Sequence, residues 1–411
     1  MKPATRWTCI ALLCALIAAP LWAAGNHVAT VPTPKNEKAV LGVQLASTLA
    51  QITGIAISPM LGVSALGAYK WVEAGDDPQK QAALPWFAHP MYWVTGLLIV
   101  GAVALKDSAG AALPPGWKKP LDVAETLENK LSGLVAAGAV IPFTLDTLTN
   151  LLGNGSGGHG EVLGTTGLAM IQLGAIDFSP LLNVLLAPFA IAVFVLVWIT
   201  AHAINVLILL SPWGAVDAVL KSLRMSVLGL LVVTPQINPW LGVACSVIVI
   251  VVSYFLAGWA FRLTTYGSIF CWDFFTFRRT RFVPDAKENK VFAGQGITDT
   301  PLRTYGRLAR TPEGRLRFRY RPWLVLPEKQ VELPEVPLAV GRGMFFPTIE
   351  ATMEGRERTI ILLPPRYEGH EEAFARACGI DAITDVGLRR AWGVIKELFG
   401  FENKRRQAVA A

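Results

Sequence analysis

"WLGVACSVIVIVVSYFLAGWAFRLTTYGSIFCWDFFTFRRTRF", residues 240–282, changes character twice. Its first part, 240–262, is an apolar run of 23 residues. A hydrocarbon core about 30 Å thick needs about 20 apolar residues of helix, so this run is predicted to cross a membrane. Six aromatic rings then crowd into residues 266–277, and Arg278, Arg279 and Arg281 follow at once. Aromatic rings favour the headgroup level, and arginines favour the cytoplasmic face. The stretch therefore reads as the end of a last span, with Trp272, Phe274 and Phe275 as interfacial anchors and the three arginines clamping the exit. A packed aromatic core is the competing reading of the same rings.

The chain on either side differs in the same way. Of the 411 residues, 16% are charged, against about 25% in soluble domains. Residues 1–262 hold 13 Lys/Arg and 12 Asp/Glu, whereas residues 263–411 hold 24 and 18. An apolar, nearly neutral part thus precedes a polar, basic one. Five scattered cysteines without a CxxC pair argue against a disulfide scaffold or a zinc site. Residues 1–25 carry Lys2 and Arg6, an apolar run and then small residues. That is the layout of a signal peptide, with an uncleaved first anchor as the alternative.

Between residues 39 and 262 the apolar runs predict a helical multi-pass membrane domain of five to seven spans. The runs are 39–69, broken at "ISPMLG"; 86–105; 131–152, which encloses Asp146; the short 162–176; 181–211; and 240–262. Two further segments are amphipathic. In 120–134, Leu121, Ala124, Leu127 and Leu131 share a helical face. In 212–231, Val216, Val219, Leu220, Leu223 and Val227 share one, opposite Lys221 and Arg224. Such helices are expected to lie in the interface plane. Lys106, Lys118, Lys119 and Lys130 mark the 106–130 connection as cytoplasmic, and the lysine-free 152–162 connection as periplasmic.

Four stretches carry a resemblance: "QITGIAISPMLGVSALGAY", "KPLDVAETLENKLSGLVAAGAVIP", "LSPWGAVDAVLKSLR" and "LAGWAFRLTTYGSIFCWDFF". Over residues 39–277 the chain resembles a family of uncharacterised bacterial multi-pass membrane proteins. The resemblance implies a polytopic inner-membrane domain and brings no reaction or substrate with it.

Residues 263–290 are expected to form an aromatic and basic linker, and residues 291–380 a cytoplasmic β-rich domain. In "LRTYGRLARTPEGRLRFRYR" a type I turn is predicted with Pro312 and Gly314 at its second and fourth positions. Pairing Arg310 with Arg315 places Leu308, Arg310, Arg315, Arg317, Arg319 and Arg321 on one face. Tyr305, Ala309, Leu316, Phe318 and Tyr320 fall on the other, with Arg307 among them. Further strands are expected near 322–327, 329–333, 336–340, 343–352 and 357–363. A helix should follow, ending at Gly379. Residues 381–411 are read as a C-terminal amphipathic helix, over 385–399, and a basic tail. Several strands closed by one helix resemble a pleckstrin-homology-like barrel.

Two groups of residues are candidate sites. Like charges opposed on a strand pair repel, so the row Arg310, Arg315, Arg317, Arg319 and Arg321 points to an anionic partner. Anionic phospholipid headgroups or a cytoplasmic protein fit, rather than nucleic acid. A solvated face neutralised by Glu328, Glu332 or Glu335 is the alternative. Asp146, Asp177, His202 and Asn205 fall in or beside apolar runs, where ionisable groups are costly and often functional. "GNGSGG", residues 153–158, matches a dinucleotide fingerprint by letter only, because no strand–helix context surrounds it. Neither a catalytic constellation nor a cofactor or metal site is expected. The chain reads as a non-catalytic inner-membrane interaction or regulatory protein. A transporter or channel is the first alternative, and a membrane-embedded lipid-modifying enzyme the second.

Overall fold

A computed structural model describes residues 48–110, 115–153, 172–173, 176–177, 179–211, 214–285, 287–343, 346–353 and 356–385. The expected signal segment and nearly all of the helix expected over 385–399 lie outside these residues. The chain divides into two compact units. One is drawn from residues up to His202 and from Ala218–Ala257, the other from Ala203–Asp217 and from Gly258 onward.

The first unit is helical. Its elements are α1 (Thr48–Ile57), α2 (Pro59–Ala74), α3 (Pro78–Ala82), α4 (Pro90–Gly110) and α5 (Pro115–Gly153). A two-residue ladder follows, β1 (Gln172–Leu173) with β2 (Ile176–Asp177). Three helices complete the run: α6 (Ser179–Leu210), α7 (Gly214–Ile237) and α8 (Pro239–Phe275). The break expected in the first apolar run falls at Ser58. Pro59 has no N–H to continue the α1 ladder, and a proline at the first helical position starts α2 instead. Small residues let helices approach closely. A Cβ on Gly96 would lie 2.0 Å from Ser64 Oγ, and one on Gly133 only 2.2 Å from Trp198 Nε1. Among the described residues two helices are long and apolar enough to cross a membrane, Pro188–Leu210 within α6 and Pro239–Phe275, the whole of α8.

At 37 residues, α8 is about 55 Å long at 1.5 Å per residue. Its end belongs to the second unit, and there the aromatic stretch divides by helical face. Leu263, Tyr266, Phe270 and Asp273 are buried, whereas Trp272, Phe274 and Phe275 are exposed. The Tyr266 ring lies 4.7 Å from Phe292 and 5.9 Å from Phe346. Helical spacing sends every third or fourth ring into the core and leaves the others outside. Residues 263–290 are therefore not a bare linker. They comprise the end of α8, a 3-10 turn at Arg278–Arg281 and the start of a strand.

The second unit carries an open eight-stranded sheet. Its strands are β3 (Glu288–Ala293), β4 (Tyr305–Arg310), β5 (Leu316–Tyr320), β6 (Lys329–Glu332), β7 (Leu338–Arg342), β8 (Thr348–Met353), β9 (Arg356–Leu362) and β10 (Ala382–Asp385). They lie in the order β10-β7-β8-β9-β3-β4-β5-β6. All neighbours are antiparallel except β10, which runs parallel to β7. Residues expected to lead into a C-terminal helix thus form an edge strand. Helix α9 (Glu371–Cys378) ends at Gly379, φ +69°, the left-handed cap foreseen there. Phe374 and Cys378 of α9 join Val291, Leu308, Phe318, Val340 and Ile360 in one core. The segment Pro322–Leu324, expected as a strand, is a 3-10 turn.

The arginine hairpin differs from expectation by one residue. The type I turn is present, with Gly314 N–H donating to the Thr311 carbonyl at 2.9 Å. However, Gly314 takes φ +86°, and Thr311 N–H donates to the Arg315 carbonyl at 2.8 Å. The loop is therefore three residues long rather than two, and Arg310 pairs with Leu316. A one-residue slip moves a whole strand to the opposite face. Gly306, Leu308, Leu316, Phe318 and Tyr320 line the core. Gly306 is required there, since a Cβ would meet the Phe318 ring at 2.5 Å.

Asp273 and Arg366 form a buried ion pair, Nε to Oδ2 2.8 Å, with side chains 0% and 4% exposed. Removing one partner strands the other charge, at a cost of about 3–5 kcal/mol, whereas an apolar pair can be neutral. Arg366→Met should therefore lower the thermal midpoint of the purified protein by several degrees. Adding Asp273→Leu to it should recover most of that loss. Equal destabilisation by the single and double variants would show that the pair is not coupled.

Candidate functional site

The polar residues of the helical unit gather on the inward faces of its helices. On α5, Asp122, Thr126, Asn129, Ser132 and Ala136 are buried, at helical spacing. The apolar stripe predicted for the same segment, Leu121, Leu127 and Leu131, is exposed, Leu131 to 55%. On α7 part of the predicted stripe, Val219 and Leu223, is likewise exposed and Lys221 and Arg224 are half-buried, but Leu220, Leu228 and Leu231 are buried. The faces are therefore reversed relative to a helix at a water–protein boundary on α5, and only in part on α7.

Between the inward faces runs a seam of ion pairs. Lys106 of α4 meets Asp122 Oδ1 at 3.1 Å and also bonds the Glu125 carboxylate. Lys221 of α7 approaches Glu125 Oε2 at 3.8 Å. Lys106 is thus not a free loop charge marking one side of a membrane. Further along α5, His202 Nδ1 lies 2.9 Å from Asn129 Oδ1, and the imidazole stacks on Trp198 at 5.5 Å. His202 Nε2 is buried without a hydrogen-bond partner among the described residues. Arg224 donates from Nε and Nη2, at 3.1 and 2.8 Å, to the carbonyl of Ile57. That carbonyl closes α1 at its break, where the helix ladder supplies no donor. A half-buried arginine thus caps a broken helix.

The sequence named His202, and the structure joins it to Asn129. Asp146 lies on α5 and Asp177 in β2; their side chains lie outside the described residues. Asn205 is buried on α6. Asp122, Glu125, Asn129, Lys106, Lys221 and Arg224 were not singled out as a site. Their signal was present: Asp122, Glu125 and Asn129 share one face of α5 at spacings of three and four, opposite the leucines. Among the described residues no group of three or more His, Cys, Asp or Glu could hold a metal ion.

On the sheet of the second unit the arginine row has a different membership. Arg307, Arg315, Arg317 and Arg319 form it, with Arg321 at the strand end. Arg310 leaves it, because its side of β4 is set by the three-residue loop. The Arg310 guanidinium closes against Gly379, whose added Cβ would sit 2.9 Å from Cζ. Its charge therefore lies at the C-terminal end of α9, where a helix dipole favours a cation. Beside it, burial pushes the Cys378 thiol up to about 12, with Arg310 offsetting part of the rise.

Glutamates interleave the row. Glu288 binds Arg307 at 2.8 Å and Arg319 at 2.9 Å. Glu332 binds Arg315 at 2.6 Å and Arg317 at 3.1 Å. Glu328 lies 4.0 and 3.9 Å from Arg319 and Arg321, and Glu335 3.6 Å from Arg315. These exposed pairs each contribute about 0–1 kcal/mol, so an external anion can exchange for a glutamate at small cost. Arg278 and Arg281 lie in the 3-10 turn after α8, where Arg279 pairs with Glu368 at 3.0 Å.

Two outcomes follow. Lys106→Met should remove the cation shared by Asp122 and Glu125 and lower the thermal midpoint in detergent by several degrees, whereas Glu125→Gln, which leaves the Lys106–Asp122 pair, should lower it less. The reverse order would contradict the seam. Cys378 should resist alkylation at pH 8 until the protein unfolds, because the thiolate is the reactive form; labelling as fast as a free thiol would contradict its burial. Comparison with protein-family models, curated proteins and solved structures finds no match to the chain.

Proposed function

We propose that this is a multi-pass bacterial inner-membrane protein without catalytic activity. Its cytoplasmic β unit would serve as an interaction or regulatory module. The observation that carries the membrane part is the exposure of α8. Only 17% of its most apolar 18-residue window is buried. In water, exposed apolar patches rarely exceed a few hundred Å², and a helix turned outward in this way has hydrocarbon as its fitting solvent. The reversed face of α5, shared in part by α7, supports the same reading, as does the resemblance over residues 39–277. The arginines after α8 favour a cytoplasmic β unit. The strand-rich unit with one helix against its core is compatible with a pleckstrin-homology-like module, although strand pairing leaves the sheet open. The partner we assign to it is an anionic phospholipid headgroup or an acidic face of a cytoplasmic protein, met by Arg307, Arg315, Arg317, Arg319 and Arg321.

Full-length protein in nanodiscs tests the headgroup version. Amide exchange in β4–β6 should slow when phosphatidylglycerol replaces phosphatidylcholine, and Arg317→Glu with Arg319→Glu should abolish the difference. Identical exchange in both lipids would remove lipid headgroups as the partner. Transport of an ion or small solute is the second reading, favoured by the buried Lys106–Asp122–Glu125–Lys221 seam. Its test is solute flux in proteoliposomes. Loss of flux with Glu125→Gln in a folded protein would support it, and absence of flux from the wild type would remove it.

A further inference from the structure

The turn between β5 and β6, "RPWLVLPE", residues 321–328, is the most apolar exposed loop of the second unit. Trp323, Leu324, Val325 and Leu326 are consecutive and all exposed, Val325 to 80%. Nothing polar interrupts them, and Pro322 and Pro327 frame them. The backbone beneath is largely satisfied from within. Leu324 N–H donates to the Arg321 carbonyl at 3.0 Å, and Leu326 N–H to that of Pro322 at 3.1 Å. Trp323 and Leu324 both hold left-handed φ, 55° and 63°, a conformation unfavourable for large side chains. The chain thus adopts an unfavourable backbone in order to present four apolar side chains outward.

The position of the loop names its solvent. The Trp323 ring packs on Phe261 of α8, with centroids 4.8 Å apart, and reaches the Cβ position of Gly258, one turn earlier, at 3.8 Å. Both residues lie on a helix long and apolar enough to cross a membrane. At the base of the loop the character changes to charge, with Arg321 Nε 3.9 Å from Glu328 Oε2 and Lys329 next in sequence. Apolar tip, tryptophan and then charges is the order of groups found from acyl chains through the interface to water.

We propose that residues 322–326 are a membrane-inserting loop that buries Leu324, Val325 and Leu326 among lipid acyl chains, with Trp323 at the headgroup boundary. The loop then ties the sheet to the bilayer by a second contact, additional to α8 itself and independent of lipid charge. This inference rests on the membrane reading of α8, and the experiment separates the two.

Photo-crosslinking in the full-length protein, reconstituted in vesicles of phosphatidylethanolamine and phosphatidylglycerol, tests it. p-Benzoylphenylalanine replaces Val325, Phe255 on α8, or the fully exposed Glu313 at the tip of the other hairpin, one at a time. Lipid adducts are counted by mass spectrometry. The expected result is adduct yield at 325 and 255 several-fold above that at 313. Adducts at 255 with only the 313 level at 325 would overturn the loop and leave the membrane reading intact. The 313 level at both positions would overturn the membrane reading and the loop with it. Adducts at 325 but not at 255 would support the loop as a surface contact and overturn the α8 span.

Discussion

A charged side chain in hydrocarbon costs several kcal/mol unless it is paired inside the protein. The helical unit is arranged around that constraint. Lys106 takes two carboxylates, Glu125 takes two lysines, and Arg224 takes a carbonyl freed by a broken helix. These groups occupy the inward faces of α4, α5 and α7, and Leu121, Leu127 and Leu131 of α5 and Val219 and Leu223 of α7 are left to point out. In a water-soluble bundle the preference would be opposite, because apolar burial is what drives the helices together. The reversed faces are therefore a statement about solvent as much as about packing. They also explain why small residues matter here. With little hydrophobic difference between neighbouring helices and lipid, close approach at Gly96 and Gly133 supplies dispersion contacts instead.

The second unit follows the ordinary rule. Its sheet buries Val291, Leu308, Phe318 and Ile360 and turns its arginines to solvent, each opposed by a glutamate. One element breaks the rule, the Trp323–Leu326 loop. Its exposure fits the proposed contact of this unit's surface with lipid. A buried ion pair, Asp273 with Arg366, ties the end of α8 to the turn before α9, within the same unit. Its contribution is register rather than net stability, because desolvating both charges offsets much of their attraction.

Sequence periodicity carried much of this, and its failures have definite causes. The apolar run of α8, the break at Ser58, the Thr311–Gly314 turn and the Gly379 cap were all legible, since each depends on local chemistry: apolar length, a missing N–H, or a left-handed glycine. The continuation of α8 to Phe275 was not, because it lies beyond the apolar run. The faces of α5 and α7 were legible as stripes but not in direction. A 3.6-residue period fixes which residues share a side without saying whether that side meets lipid or protein. The hairpin register failed by one residue because Gly314 entered the loop as an extra left-handed position. That slip exchanged Arg307 for Arg310 in the row. The seam was missed because Lys106 was read as a marker of membrane sidedness and Lys221 as the polar face of an interfacial helix, and their acidic partners stand in a different helix. Strand β10 gave no periodic signal in four residues, and only its parallel partner β7 defines it.

The central claim is that the exposed faces of these helices are dissolved in hydrocarbon, and a lysine placed there measures it most directly. Ile248 lies within α8 and is 61% exposed. On a water-facing surface Ile248→Lys would be neutral or favourable, whereas near the middle of a span it costs about 2.5–3.5 kcal/mol. The account predicts a marked fall in the thermal midpoint in nanodiscs for Ile248→Lys, and none for Val283→Lys, which is also exposed but lies beyond the helix. If the two variants proved equally stable, the reading of α8 as a lipid-facing helix would be contradicted.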